Sequence, residues 1–117
     1  MKTVRLKKIP DYAFNLLNLS AMKDFVFFKT VVADEGVMID FDIRDEPAAI
    51  EMINASKKFR VHRDPCMEGK ITGSIVITYD FITLRLNLDY EKLSRTYERE
   101  IPNVYGLRPG EYEIDVV

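Results

Sequence analysis

The chain has 117 residues, of which 47% are apolar and 31% charged, the profile of a globular domain rather than a fibrous or low-complexity segment. A formal net charge of −2 argues against a general polyanion binder with a uniformly basic surface, and no run nears the ~18 uninterrupted apolar residues of a membrane span. One cysteine rules out an internal disulfide and points to a cytoplasmic, reducing compartment, and "MKTVRLKKIPDYAF" lacks the apolar core of a secretory signal.

Residues 2–9 read as a strand with Val4 and Leu6 on one face and Arg5 and Lys7 on the other. Pro10 stops it and Asp11 caps a predicted helix, "YAFNLLNLSAMKDF", with Phe14, Leu17 and Ala21 on one stripe. A hairpin follows. Phe25 to Val32 is apolar on both faces and is expected to be covered on both, "ADEG" supplies the turn, and Val37, Ile39, Phe41 and Ile43 alternate inward on the return. Asp45 caps a second predicted helix over "EPAAIEMINASKKF", and "FRVHR" is a short strand. From Lys70 to Tyr90 the apolar positions change from odd to even, which predicts a tight hairpin around Tyr79–Asp80, the alternative being one long bulged strand. A third helix is predicted over "YEKLSRTYEREI", with Tyr90, Leu93, Tyr97 and Ile101 at helical spacing and Glu91 paired with Arg95. A Pro-Gly turn and a final strand with Tyr112, Ile114 and Val116 inward complete the chain.

Together these elements predict one α+β domain over residues 1–117, with a mostly antiparallel sheet. Its N-terminal half has the βαββαβ order of a ferredoxin-like arrangement, followed by an added hairpin, helix and C-terminal strand. No internal repeat or linker interrupts it.

Charge is unevenly spread. Lys2, Arg5, Lys7 and Lys8 crowd the first strand, and Lys57, Lys58, Arg60 and Arg63 lie within "SKKFRVHR". Fixed positive charges around Phe59 suit phosphate binding and base stacking, although lysines at a helix C-terminus are also favoured by the helix dipole. The predicted topology would set Lys7 and Lys8 beside this segment as part of one anion- or nucleic-acid-binding surface. His62 and Cys66 are unique in the chain. As a thiol–base pair they need a turn at Asp64–Pro65 to meet, and as zinc ligands they lack partners, so an ordinary loop explains them best. Asp40 and Asp42 alternate on one strand face at about 7 Å, a spacing that suits a divalent ion but also any wet sheet face. The tyrosines Tyr79, Tyr90, Tyr97, Tyr105 and Tyr112 suit core rims or an interface equally.

No Gly-rich phosphate loop, G-x-S-x-G, H-E-x-x-H or paired C-x-x-C is present, which disfavours the common cofactor and NTP enzymes. No cofactor and no catalytic residue is expected. The leading expectation is a non-catalytic binding or assembly module acting as a homo-oligomer. Second is nucleic-acid or phosphorylated-ligand binding through residues 57–63, and third a small enzyme using His62, Cys66, Asp40 or Asp42.

Overall fold

Most of the residues expected in helices lie in extended strands. The computed structural model describes residues 1–117 and is 62% strand and 9% helix, so the ferredoxin-like α+β expectation is overturned. In chain order the elements are β1 (Lys2–Asp11), β2 (Leu16–Ala21), β3 (Phe27–Asp34), β4 (Val37–Asp42), β5 (Pro47–Ile53), α1 (Ala55–Phe59), α2 (Arg63–Glu68), β6 (Lys70–Ile77), β7 (Phe81–Tyr90), β8 (Leu93–Pro102) and β9 (Gly110–Val116). They form one nine-stranded sheet in the order β3-β4-β5-β2-β1-β9-β6-β7-β8, curled into a nearly closed barrel. All neighbours are antiparallel except β1 and β9. Neither helix is long and apolar enough to cross a membrane.

The helix expectations failed for one physical reason. Leu17 and Ala21, or Leu93, Tyr97 and Ile101, recur every four residues. That spacing is about one helical turn, and it is also an even number of strand residues. Strand pairing settles which period is used. Leu17 and Leu19 are buried in β2, whose first residue follows Asn15 in a left-handed conformation (φ 51°). Asp11 accepts a bond from the Phe14 N–H to form a turn instead of capping a helix. In the segment predicted as the second helix, Ala48, Ile50 and Met52 alternate inward in β5, and only Ala55–Phe59 is helical. The "FRVHR" strand is absent, because those residues end α1 and begin α2. Pro10 does not end β1. The Lys8 N–H faces the β9 side and bonds the Val117 carbonyl, so the same side at Pro10 lies beyond any partner and the missing N–H costs nothing there.

Other expectations match the structure. Val37, Ile39 and Phe41 are buried on β4, and Gly36 takes φ 72° in the turn before them. Residues 70–90 are a hairpin with Ile77 opposite Ile82. Its turn is held by the Thr78 hydroxyl, which accepts the Phe81 N–H at 2.9 Å. β9 runs between β1 and β6 with Ile114 buried. Gly73 on β6 allows close strand approach, since a Cβ there would lie 2.3 Å from the Arg85 carbonyl oxygen.

The seam of the barrel lies between the edge strands β3 and β8, which share no backbone ladder. Side chains close it instead. The Tyr97 hydroxyl donates to Asp34 Oδ2 at 2.8 Å, Arg99 Nε donates to the same oxygen at 2.9 Å, and the Tyr105 hydroxyl accepts the Val32 N–H at 3.3 Å. Lys29 reaches the Tyr105 carbonyl. The outer face of β3 is not covered, contrary to expectation: Phe27 is 55%, Phe28 48% and Val32 53% exposed. Ile43, expected inward, lies beyond the end of β4 and is also exposed.

Candidate functional site

Helix α1 is held against the seam from both sides. Its own N-cap residue, Asn54, is left-handed (φ 55°) and makes no capping bond. Asn15 of the β1–β2 turn does that work: its carbonyl accepts the Ala55 N–H at 3.0 Å and its Oδ1 accepts the Ser56 N–H at 3.1 Å. Its Nδ2 donates to Ser56 Oγ at 2.7 Å, and both side chains are buried. At the other end Phe59 is buried edge-on against Tyr97, with ring centroids 6.3 Å apart. Arg60 terminates the helix in the left-handed region (φ 59°), its N–H bonded to the Lys57 and Ser56 carbonyls.

Strand β8 supplies the opposite wall. Arg95, Tyr97 and Arg99 alternate on the face that carries Leu93 and Ile101, so two arginines face inward on an edge strand. Arg99 lies over the Tyr97 ring at 4.6 Å while bonding Asp34. The Tyr97 hydrogen bond, helped by the Glu35 N–H and by Arg99, holds the Asp34 carboxyl below its ordinary value. Burial, and then the same Asp34 bond, push the Tyr97 hydroxyl up.

Between these walls lies an open cleft of about 880 Å³, lined by Asp34, Glu35, Gly36, Ile53, Asn54, Lys57, Lys58, Arg60 and residues 96–99. A smaller hollow of about 450 Å³ shares Lys57 and Arg60 and adds Ser56, Val61, His62, Pro65, Leu93 and Arg95, with no acidic residue. The ion pairs of the chain are Lys2–Glu46, Arg5–Asp115, Arg99–Asp34 and Arg108–Asp45. Lys57, Arg60 and Arg95 are in none of them. Lys58 Nζ bonds the Ile53 carbonyl at 2.5 Å.

Of the basic residues singled out from the sequence, Lys57, Lys58 and Arg60 meet in the cleft and the others do not. Arg63 lies exposed in the first turn of α2, outside it. Lys7 is exposed on the outer side of β1, and Lys8 donates to the Gly69 carbonyl at 2.6 Å with its pKa lowered by burial. The expected adjacency fails because β1 pairs with β2 and β9, and residues 59–63 form no strand. Phe59 is buried and offers no stacking face.

The metal and thiol candidates also separate. His62 is exposed at the start of α2, whereas Cys66 one turn later points into the core, and burial pushes its thiol up to about 11. Asp40 accepts the Thr30 hydroxyl at 2.7 Å, and Asp42 accepts the N–H groups of Arg44 at 2.8 Å and Glu46 at 3.0 Å. No three His, Cys, Asp or Glu side chains come together as a metal-ligand group.

Comparison with known proteins gives a relative over nearly the whole chain. The uncharacterized protein MJ0789 of Methanocaldococcus jannaschii is 31% identical over 110 residues, covering 89% of this chain and 95% of that one. The chain belongs to the family of that protein. No family model and no solved structure matches it. In this member of the family, sequence reasoning missed Arg95 and Arg99, because it assigned them to a helix where Arg95 would pair with Glu91. Read with a period of two, "LSRTYEREI" puts both arginines on one face with Leu93, Tyr97 and Ile101, and that alternation was the available signal.

Proposed function

We propose that the protein is a non-catalytic binding module that takes a phosphate-bearing anion in the cleft between α1 and β8. The observation that carries this reading is the convergence of Lys57, Arg60 and Arg95 on one groove without a carboxylate partner. Like charges drawn together by a fold repel, and a bound anion reverses the sign of that interaction. Inward-pointing charges on edge strands also deter unwanted strand pairing. That device accounts for Arg95 but not for Lys57, which stands on α1, or for Arg60, which ends it. Arg60 adds its own support. It occupies a left-handed helix end where glycine is usual, at a cost of about 1–2 kcal/mol, which a functional guanidinium would justify. The buried, unpaired Cys66 accords with a reducing cytoplasm.

Titration with inorganic pyrophosphate by calorimetry at low and high salt tests the reading. Binding should weaken as salt rises and fall about tenfold or more in Arg95→Gln. Arg60→Gly should lose affinity yet raise the melting temperature, because glycine relieves the left-handed backbone. No heat of binding at millimolar pyrophosphate, or variants that bind as the parent does, would sink it.

A second reading, self-association, is favoured by a different observation. Val26, Phe27, Phe28 and Ile43 are exposed around the start of the edge strand β3, and the Val26 carbonyl accepts the Ile43 N–H, so they form one apolar patch.

A further inference from the structure

Resting on the anion-binding reading above, the geometry points to a narrower ligand class: a phosphorylated polyhydroxyl compound of pentose size, a sugar phosphate, lying along β8. The groove is chemically polar from end to end. At the Arg95 end the hollow carries Lys57, Arg60, His62 and Arg95 and no acid. At the Arg99 end the same Lys57 and Arg60 are joined by Lys58 and Arg99, and by the acids Asp34 and Glu35, so charge there is mixed. Arg95 and Arg99 are four strand residues apart, about 13 Å along β8. With side chains reaching in from both ends, that leaves room for a phosphate joined to a short chain of hydroxyl-bearing carbons.

The far-end groups are suited to hydroxyls. Asp34 is already committed to Tyr97, Arg99 and the Glu35 N–H. The carboxylate of Glu35 enters no ion pair, and Asn54 makes no capping bond, so an acceptor and an amide stand free beside the β3–β4 turn. Glu98 borders the same end from the outer face of β8, opposite Arg85. The free Glu35 carboxylate offsets the cations of that end and accepts hydroxyl hydrogen bonds well, which favours hydroxyl-bearing carbons there over further phosphates. Phe59 and Tyr97, the aromatic side chains at the groove, are both buried, so no ring is presented for a base to stack on.

Calorimetric titration with ribose 5-phosphate, inorganic phosphate, ribose and AMP tests the assignment. Ribose 5-phosphate should bind about tenfold more tightly than inorganic phosphate, and AMP should gain nothing further from its base. Glu35→Gln combined with Asn54→Gly, which keeps the left-handed backbone, should reduce ribose 5-phosphate to the affinity of inorganic phosphate without weakening the latter. Equal affinity of the parent protein for phosphate and ribose 5-phosphate would overturn the sugar phosphate while leaving the anion site standing. AMP or an oligonucleotide binding far more tightly than ribose 5-phosphate would also overturn it. Failure of inorganic phosphate, pyrophosphate and ribose 5-phosphate alike would remove the anion reading and this inference together.

Discussion

Asn15 anchors the cleft at the level of single residues. One buried amide in the β1–β2 turn satisfies the Ser56 N–H and hydroxyl, and its backbone carbonyl caps Ala55, so the position of Lys57 and Arg60 depends on a residue far away in sequence. Asn15→Ala leaves buried polar groups of Ser56 unpaired and takes a left-handed position without the tolerance of asparagine. It should lower stability by about 2–3 kcal/mol in urea unfolding. If the variant unfolds as the parent does, the latch contributes nothing. The basic run Lys57, Lys58 and Arg60 was legible in the sequence, since lysines and arginines stay at the surface whether the backbone is helix or strand. Asn15 was not legible, because its partner is named only by the tertiary fold.

Among the elements, β3 and β8 set the behaviour of the seam. Asp34 is held below its ordinary value of 3.8, chiefly by the Tyr97 hydroxyl, so ionised Asp34 stabilises the fold above that pH. The contribution is lost as pH falls below 3.8 toward the depressed value of the folded state. Tyr97 runs the other way. Its raised pKa means a contribution present below the ordinary value of 10.0 and lost as pH rises above it. Tyr97→Phe removes the bond that depresses Asp34, and so should flatten the acid limb of stability below about pH 4. Urea midpoints collected across the acid range check this, and an acid limb identical to that of the parent protein would refute it. At this scale the sequence announced both hairpins, because alternation, a Gly36 turn and a phase slip at 78–80 are local signals. It misassigned β2, β5 and β8, because a spacing of four fits both periods and only the neighbouring strands decide between them.

For the whole molecule, the exposed apolar patch at the start of β3 is the feature that bears on assembly. Burying Val26, Phe27, Phe28 and Ile43 against a second copy would cover an edge strand whose free backbone groups otherwise invite pairing. Sedimentation at micromolar concentration should give a species larger than the monomer, and Phe27→Lys with Phe28→Glu should return it to monomer size. A parent protein that sediments as a monomer throughout would remove the self-association reading without touching the cleft. Little of this is visible in the sequence: the apolar run Phe25–Val32 predicts cover on both faces, and nothing local says that a strand will lie at a sheet edge. Nor does any short pattern encode the parallel pairing of β1 with β9, which depends on residues at opposite ends of the chain.

That pairing has a temporal consequence. β9 bridges the half-sheet β3-β4-β5-β2-β1 to the half-sheet β6-β7-β8, and it is the last strand in chain order. During synthesis the two halves therefore emerge with their inner edges, β1 and β6, open. They can be joined only after residues 110–116 are free to insert between them. Closure of the ring is necessarily a late event dominated by distant contacts, which places folding toward the slow end for a domain of this size. Until then the nascent chain carries two sticky edges that the finished molecule hides.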